Sequence, residues 1–346
     1  MNLFSDSYHE ARTRLLQAAE ATPGAAWHGS LPDGVATTEL CWIGPEDAAN
    51  LLVLISATHG VEGFVGAAVQ LDLLLRLQQG YSLPANTAIL LVFALNPSGF
   101  VLRRRCDGEG IDLNRNFVDF SKPLPENPDY PELMAAVRAA PEGERLALLE
   151  TFRRKWGNQR YEIAFSGGQY VDPEGPFYGG AAPAHGQRVM DELQRRYALA
   201  GRHLAVVDIH SGLGPYGYGE VISDHPPQSG GHAVAKRWYG AGVTSPALGE
   251  SSSVAKSGLL DYWWHGLMQQ RGAFVTLEFG SYGTAPLLLV ILENHLTWRS
   301  GNQARIEQSA AAMQEHFCPH DDYWREMVVV KARQVIRQAL DGLSDK

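Results

Sequence analysis

The sequence predicts an α/β fold with a mixed, mostly parallel central sheet flanked by helices. Four short runs rich in Val, Ile and Leu carry this reading, at 51–56 (LLVLIS), 88–94 (AILLVFA), 204–209 (LAVVDI) and 273–277 (AFVTL). They are too short for core helices and nearly unbroken by polar residues, as central strands covered on both faces are. Stretches with helical period alternate with them: 66–77 follows the first run, and 186–197 (GQRVMDELQRRY) precedes the third. That alternation is the pattern of βαβ units. Finally, 346 residues with 45% hydrophobic and 19% charged side chains suffice for a sizeable core, which excludes a mainly disordered, collagen-like or coiled-coil chain.

Taken in order, the first 24 residues (MNLFSDSYHEARTRLLQAAEATPG) are interrupted by Asp6, Glu10 and Arg12 before an apolar run can form. They read as an amphipathic helix and not as a signal peptide. Between about Asp119 and Gly201 lies a stretch rich in Pro, Gly and charge, with a helix-like segment at 141–156 and an aromatic loop, GGQYVDPEGPFYGG. It is expected to be an insertion, at about 119–200, within one catalytic domain spanning 1–346. The segments 303–316 and 323–343 read as two packing helices in a C-terminal helical region of about 301–346, and no internal repeat is visible. No stretch approaches the roughly 18 to 20 apolar residues of a membrane span, so a cytoplasmic protein without a membrane partner is expected. The net charge of −9, from 38 acidic and 29 basic residues with no long Lys/Arg run, argues against a nucleic-acid partner. Cys41, Cys106 and Cys318 are odd in number and far apart, which provides neither a disulfide framework nor a CxxC metal knuckle.

The chemistry gathers at strand ends. The first strand runs into Thr58, His59, Gly60, Val61, Glu62 and Gly63. A His and a Glu three apart can close on one metal ion while the glycines relieve backbone crowding. HxxE alone arises by chance in many chains, but the strand LAVVDI ends in Asp208, Ile209, His210, Ser211 and Gly212, and open α/β sheets place their sites outside the carboxyl ends of strands. Two His and one Glu leave one coordination position open, as a catalytic zinc site does; a solvated His210 beside a turn is the bland alternative. After the second strand, ALNPSGFVLRRRCDGEGIDLNRNF packs three consecutive arginines and an Asn-Arg-Asn triplet into a Gly-punctuated loop. A guanidinium fork suits a carboxylate or an oxyanion, and the alternative is a charged surface. The strand AFVTL delivers Glu278 to the same rim, either as a general base or as a salt-bridge partner. Gly212, Gly214 and Gly217 satisfy GxGxxG after a strand, but strand-like EVIS and a Pro-Pro turn follow where a dinucleotide site requires a helix. No GxSxG occurs, so a nucleophile-elbow serine hydrolase lacks its central residue.

The order HGVE, NPSGF, RCDGEGIDLNRNF, DIHSG, TLEFG, spread over residues 56 to 280, resembles the zinc carboxypeptidase family typified by the pancreatic carboxypeptidases. HGVEGF, DIHSGLGPYG and LEFGSYG look closest to a bacterial branch of that family of largely uncharacterised function. The resemblance implies a carboxypeptidase-like architecture and one Zn2+ on His59, Glu62 and His210. It also implies an oxyanion-stabilising Arg105, Asn114 and Arg115 on the substrate's free carboxylate, and Glu278 as general base. The expected activity is zinc-dependent cleavage of an amide or peptide bond next to a free carboxylate. The expected partner is a small peptide or acyl-amino acid. Asp208, two before His210, is placed to orient a ligand imidazole. The family's mobile tyrosine is not singled out among Tyr239, Tyr262 and Tyr282. Tyr170, Phe177 and Tyr178 either roof the cleft or pack on the core. Two rival readings remain. One is an N-acyl amino acid deacylase resembling the aspartoacylase and succinylglutamate desuccinylase branch. The other is a metal- or peptide-binding protein without catalysis. Side-chain preference and oligomeric state are not legible.

Overall fold

The strands of the computed structural model, which describes residues 2–345, are β1 (Ala25–Pro32), β2 (Thr37–Ile43), β3 (Asn50–Ile55), β4 (Thr87–Phe93), β5 (His203–Gly212), β6 (Gly219–Ile222) and β7 (Gly272–Gly280). They form one sheet in the order β1-β2-β4-β3-β5-β7-β6. Its centre, β4-β3-β5-β7, is parallel, while β1, β2 and β6 pair antiparallel at the edges. The four apolar runs of the sequence are these four central strands. Pleating explains why they are apolar throughout, because alternate residues enter different cores. Leu52, Leu54, Ile89, Leu91, Ala205, Val207, Val275 and Leu277 face one core. Leu51, Val53, Ile55, Leu90, Val92, Leu204, Val206 and Phe274 face the other.

The helices are α1 (Tyr8–Glu20), α2 (Gly63–Gln78), α3 (Pro97–Val101), α4 (Tyr130–Ala139), α5 (Arg145–Trp156), α6 (Asn158–Ser166), α7 (His185–Tyr197), α8 (Gly230–Tyr239), α9 (Leu260–Met268), α10 (Thr284–Arg299), α11 (Gln303–Phe317) and α12 (Asp322–Ser344). The first core packs α1, α2, α8 and α10 to α12 against the sheet and continues into α4 to α6. The second is built by α7 and α9. On α7, Val189, Met190, Leu193 and Tyr197 recur at helical spacing, so one stripe is buried. The region 119–200 contains four helices, α4 to α7, and the aromatic loop between α6 and α7. Within the C-terminal segment, α12 is tied back to α2 by Arg333, which donates to both oxygens of the buried Asp72 at 2.8 and 2.6 Å. All three cysteines are free and buried. No helix among the described residues is long and apolar enough to cross a membrane.

Two of the sequence motifs meet as a packing contact. HGVEG forms a 3-10 turn (Gly60–Glu62) leading into α2, and NPSGF forms α3, where Asn96 caps the helix by accepting from the Gly99 amide at 2.9 Å and Pro97 occupies its first turn. The Cα of Gly60 lies so near Gly99 that an added Cβ would stand 2.1 Å from the Gly99 carbonyl carbon, and a Cβ on Gly63 would enter the Phe100 ring at 2.4 Å. Glycine is required there because two backbones touch. The Val61 amide donates to Arg104 O at 2.9 Å, and Asn96 Nδ2 donates to Arg105 O at 3.2 Å. The metal-type turn and the arginine loop are therefore held as one piece.

Candidate metal and substrate site

The second core stops short of the carboxyl ends of β5 and β7, and there the same face of the sheet turns polar. Asp208 and His210 continue the alternation of β5, Thr276 and Glu278 that of β7, and the parallel register sets Asp208 beside Thr276 and His210 beside Glu278. These residues line a cavity that also holds His59, Glu62, Arg105, Asn114 and Arg115. All seven residues expected from the sequence thus share one cleft.

His59, Glu62 and His210 are buried and point their ligand atoms at one spot. His59 Nδ1 lies 3.0 Å from Glu62 Oε1, His210 Nδ1 lies 2.9 Å from Glu62 Oε2, and the two imidazole Nδ1 atoms lie 3.1 Å apart. Ligands about 2.0–2.1 Å from a tetrahedral zinc are separated by about 3.3 Å, so this donor set fits a small divalent cation. His210 Nε2 lies 2.6 Å from Asp208 Oδ2, whose other oxygen accepts from Thr58 Oγ1 at 2.8 Å. A proton on that Nε2 leaves the Nδ1 lone pair facing the site, as a ligand imidazole requires. Asp112 Oδ1 is 3.6 Å from His59 Nε2, and Arg105 Nη2 approaches the same nitrogen at 2.6 Å. These two contacts are alternatives. A His59 that lends its Nδ1 lone pair to a cation carries its proton on Nε2, directed at Asp112 and closed to Arg105.

The charges respond to this crowding. Burial, reinforced by the Arg105 charge, holds His59 well below the ordinary histidine value. For His210 burial works the same way, but the Asp208 and Glu62 carboxylates outweigh it and hold the imidazole well above. Burial also pushes Glu278 up to about 8, with the Glu62 charge adding to the effect, while its Oε1 accepts from the Leu213 amide at 3.1 Å.

The three consecutive arginines separate. Arg103 reaches Glu307 on the surface, and Arg104 is buried with its guanidinium 4.3 Å from the Trp298 ring centroid. Arg105 alone enters the cleft, where Asp112 Oδ2 accepts from its Nε at 2.9 Å. Of the Asn-Arg-Asn triplet, Asn114 accepts from the Leu260 amide at the start of α9 at 2.8 Å and keeps its Nδ2 free of partners among the described residues. Arg115 is fully buried and donates to the carbonyls of Asn114 (2.6 Å) and Ser166 (2.7 Å). Asn116 instead fastens the 179–184 loop through Gly179 O, Ala182 O and the Ala184 amide. Phe177 lies against both cleft arginines, its ring centroid 4.9 Å from Arg105 Cζ and 5.7 Å from that of Arg115. Tyr170 donates to Arg115 O at 2.6 Å, and the Tyr178 carbonyl accepts from the Asp112 amide.

Of the tyrosines left open by the sequence, Tyr239 is buried, Tyr262 donates to Lys256 O at 2.9 Å, and Tyr282 pairs with Glu315; none of the three lines the cavity. Sequence reasoning missed Asp112, Asp224, Lys256, Asp261 and Thr276, all of them in or beside the cleft. Thr276 was recoverable, since it lies two residues before Glu278 on the same face, as Asp208 does before His210. Lys256 sits in an irregular Ser-rich loop that carries no period.

Among solved structures, the carboxypeptidase A of Helicoverpa armigera aligns over 98% of this chain and 74% of its own, with 14% identity and a TM-score of 0.51. The bovine thrombin-activatable fibrinolysis inhibitor, solved with a tick carboxypeptidase inhibitor, aligns over 96% and 98% with 14% identity and a TM-score of 0.47. The succinylglutamate desuccinylase of Vibrio cholerae aligns over 93% and 73% with 15% identity and a TM-score of 0.39. The first of these shows that the sheet and its flanking helices have the carboxypeptidase fold. No curated protein sequence matches the chain. A family profile described as "Protein of unknown function (DUF2817)" matches residues 4–331, nearly the whole chain, and the chain belongs to that family.

Proposed function

We propose that this protein is a zinc-dependent hydrolase that cleaves an amide or peptide bond next to a free carboxylate. The observation that carries the reading is one cleft in which a His-Glu-His donor set stands beside a buried carboxylate and two arginines. His59, Glu62 and His210 would hold the ion, which supplies Lewis-acid polarisation of a water and of the scissile carbonyl. The chain's own residues do the rest. Glu278, next to His210 across the β5–β7 register, takes a proton from the attacking water and returns it to the departing amine. Arg105 donates to the oxygen on which negative charge develops, and Asp112 holds its Nε so that the fork stays aimed. Asn114 Nδ2 and the remaining N–H groups of Arg115 receive the substrate's carboxylate. Phe177 keeps water from the two guanidinium groups, which strengthens every ionic contact inside.

The test is a paired assay of the zinc-loaded protein on blocked dipeptides and N-acyl amino acids, each with a free carboxylate and as its amide. Hydrolysis of the acids with loss of turnover on the amides is expected. Turnover of acyl-amino acids with dipeptides untouched would move the assignment to a deacylase. Inactivity on both, with zinc bound, would sink the hydrolase reading.

A further inference from the structure

The cleft holds three cations, and only one has a carboxylate partner. Arg105 pairs with Asp112 at 2.9 Å and reaches Glu62 at 3.7 Å. Arg115 makes contacts to carbonyl oxygens alone. The third cation, Lys256, lies in the loop between the turn at Pro246–Leu248 and α9. Its ammonium donates to Ser253 Oγ and, at 3.1 Å, to Val254 O. Among the described residues no carboxylate comes within ion-pair distance of Arg115 or Lys256, although both line the cavity. Withdrawing cations from water with no carboxylate in direct contact is unfavourable, so two such groups facing one space mark a site for an anion that the ligand brings.

The surroundings of Lys256 locate that anion. Burial, the largest influence, and next the Arg115 charge lower the ammonium to about 8; Asp224 opposes them, Arg105 adds to the lowering, and Glu278 opposes it more weakly. Glu162 on α6 and Asp261 on α9 complete the charged groups around it. Arg115 and Lys256 face the same cavity, and their segments are joined: Gly258 O, two residues after Lys256, accepts from the Phe117 amide, two residues after Arg115, at 3.1 Å. A group of opposite sign held by both relieves their repulsion and satisfies both sets of unused donors. Asn114 Nδ2 is a further unspent donor on the Arg115 side.

We infer that Lys256 is a substrate-binding residue that closes on the substrate's carboxylate opposite Asn114 and Arg115, making a three-point clamp. The inference rests on the reading of this cleft as a carboxylate-terminal amide site. It adds a donor, carried by a loop, that no motif in the sequence signals.

Calorimetric titration of the zinc-loaded protein with N-acetylglycine, and with N-acetylglycinamide as its uncharged counterpart, tests the clamp without requiring turnover. The wild type should prefer the acid, and Lys256→Met should weaken the acid by about tenfold while leaving the amide unchanged, the scale expected for one charge-assisted hydrogen bond. Lys256→Arg should restore affinity. It should also lessen the loss of acid binding that the wild type shows as pH rises through about 8, because guanidinium keeps its proton there while Glu278 still ionises over the same range. Wild-type affinity in a folded Lys256→Met, alongside lost affinity in Arg115→Met, would overturn the role of Lys256 alone. A wild type that does not distinguish acid from amide would overturn the carboxylate site itself. Melting curves of both Lys256 variants check that the loop change leaves the fold intact.

Discussion

A single atom separates two roles at Glu278. Replacing its carboxylate with an amide preserves shape and the bond from the Leu213 amide but removes the proton acceptor. Glu278→Gln should therefore retain zinc, measured as metal per chain, and lose turnover by at least about a hundredfold. Retained activity would return Glu278 to a structural part. His210→Ala should abolish zinc binding outright. Asp208→Asn should keep the ligand but release its orientation, weakening zinc by roughly 10- to 100-fold in a chelator competition. An affinity unchanged in Asp208→Asn would mean that the strand alone orients the ring. Asp208 and Glu278 were legible in the sequence because each sits at the carboxyl end of an apolar run. Lys256 and Asp224 were not, because nothing in SSSVAKSG or ISDHPP tells a cleft-lining charge from a solvated one.

The element that most constrains the site is the turn between β3 and α2, and its constraint is steric. Gly60→Ala forces a methyl against the Gly99 backbone, where no side-chain rotation gives relief. Overpacking of this kind costs about 1–3 kcal/mol and should appear as a melting temperature lowered by several degrees. Zinc occupancy should fall as well, since His59 and Glu62 flank the displaced residue. A variant that melts as the wild type does would show that α3 yields freely. At this scale the sequence read well where burial imposed a pattern. The four central strands, α2 and α7 stand within a few residues of their expected places. It read poorly at the antiparallel edge, where no unbroken apolar run marks the strands. Strand β1 (AAWHGSLP) alternates without a clean apolar face, and β2 buries Glu39 by pairing it with Arg12, so neither announces itself as a strand.

Over the whole molecule, several histidines are held neutral by burial. His225 is pushed down to about 3, and His185, His295 and His316 to about 4, against an ordinary value of 6.5. Each lowers stability under acid, because the unfolded chain takes up protons between pH 6.5 and 4 that the folded chain refuses. Between pH 6.5 and 4 the melting temperature of the metal-free protein should thus fall further, or rise less, than that of a His225→Gln variant, a comparison that isolates the ring from Glu278 and His210, whose raised values act in the opposite sense. Identical profiles for the two proteins over that interval would contradict the neutral, buried state of His225. The pleat of β5 and β7 has one more consequence. Odd and even positions of these strands belong to different sides of the sheet, so the site is specified by parity. A single residue inserted into β5 ahead of Asp208 would exchange Ile209 for His210 on the cleft side and drive an imidazole into the apolar layer beneath. Loops at the rim, such as the one that carries Lys256, are free of that arithmetic. An engineer, or natural variation, can lengthen and rewrite them to change what enters the cleft, while the two strands beneath tolerate substitution but not a change in count.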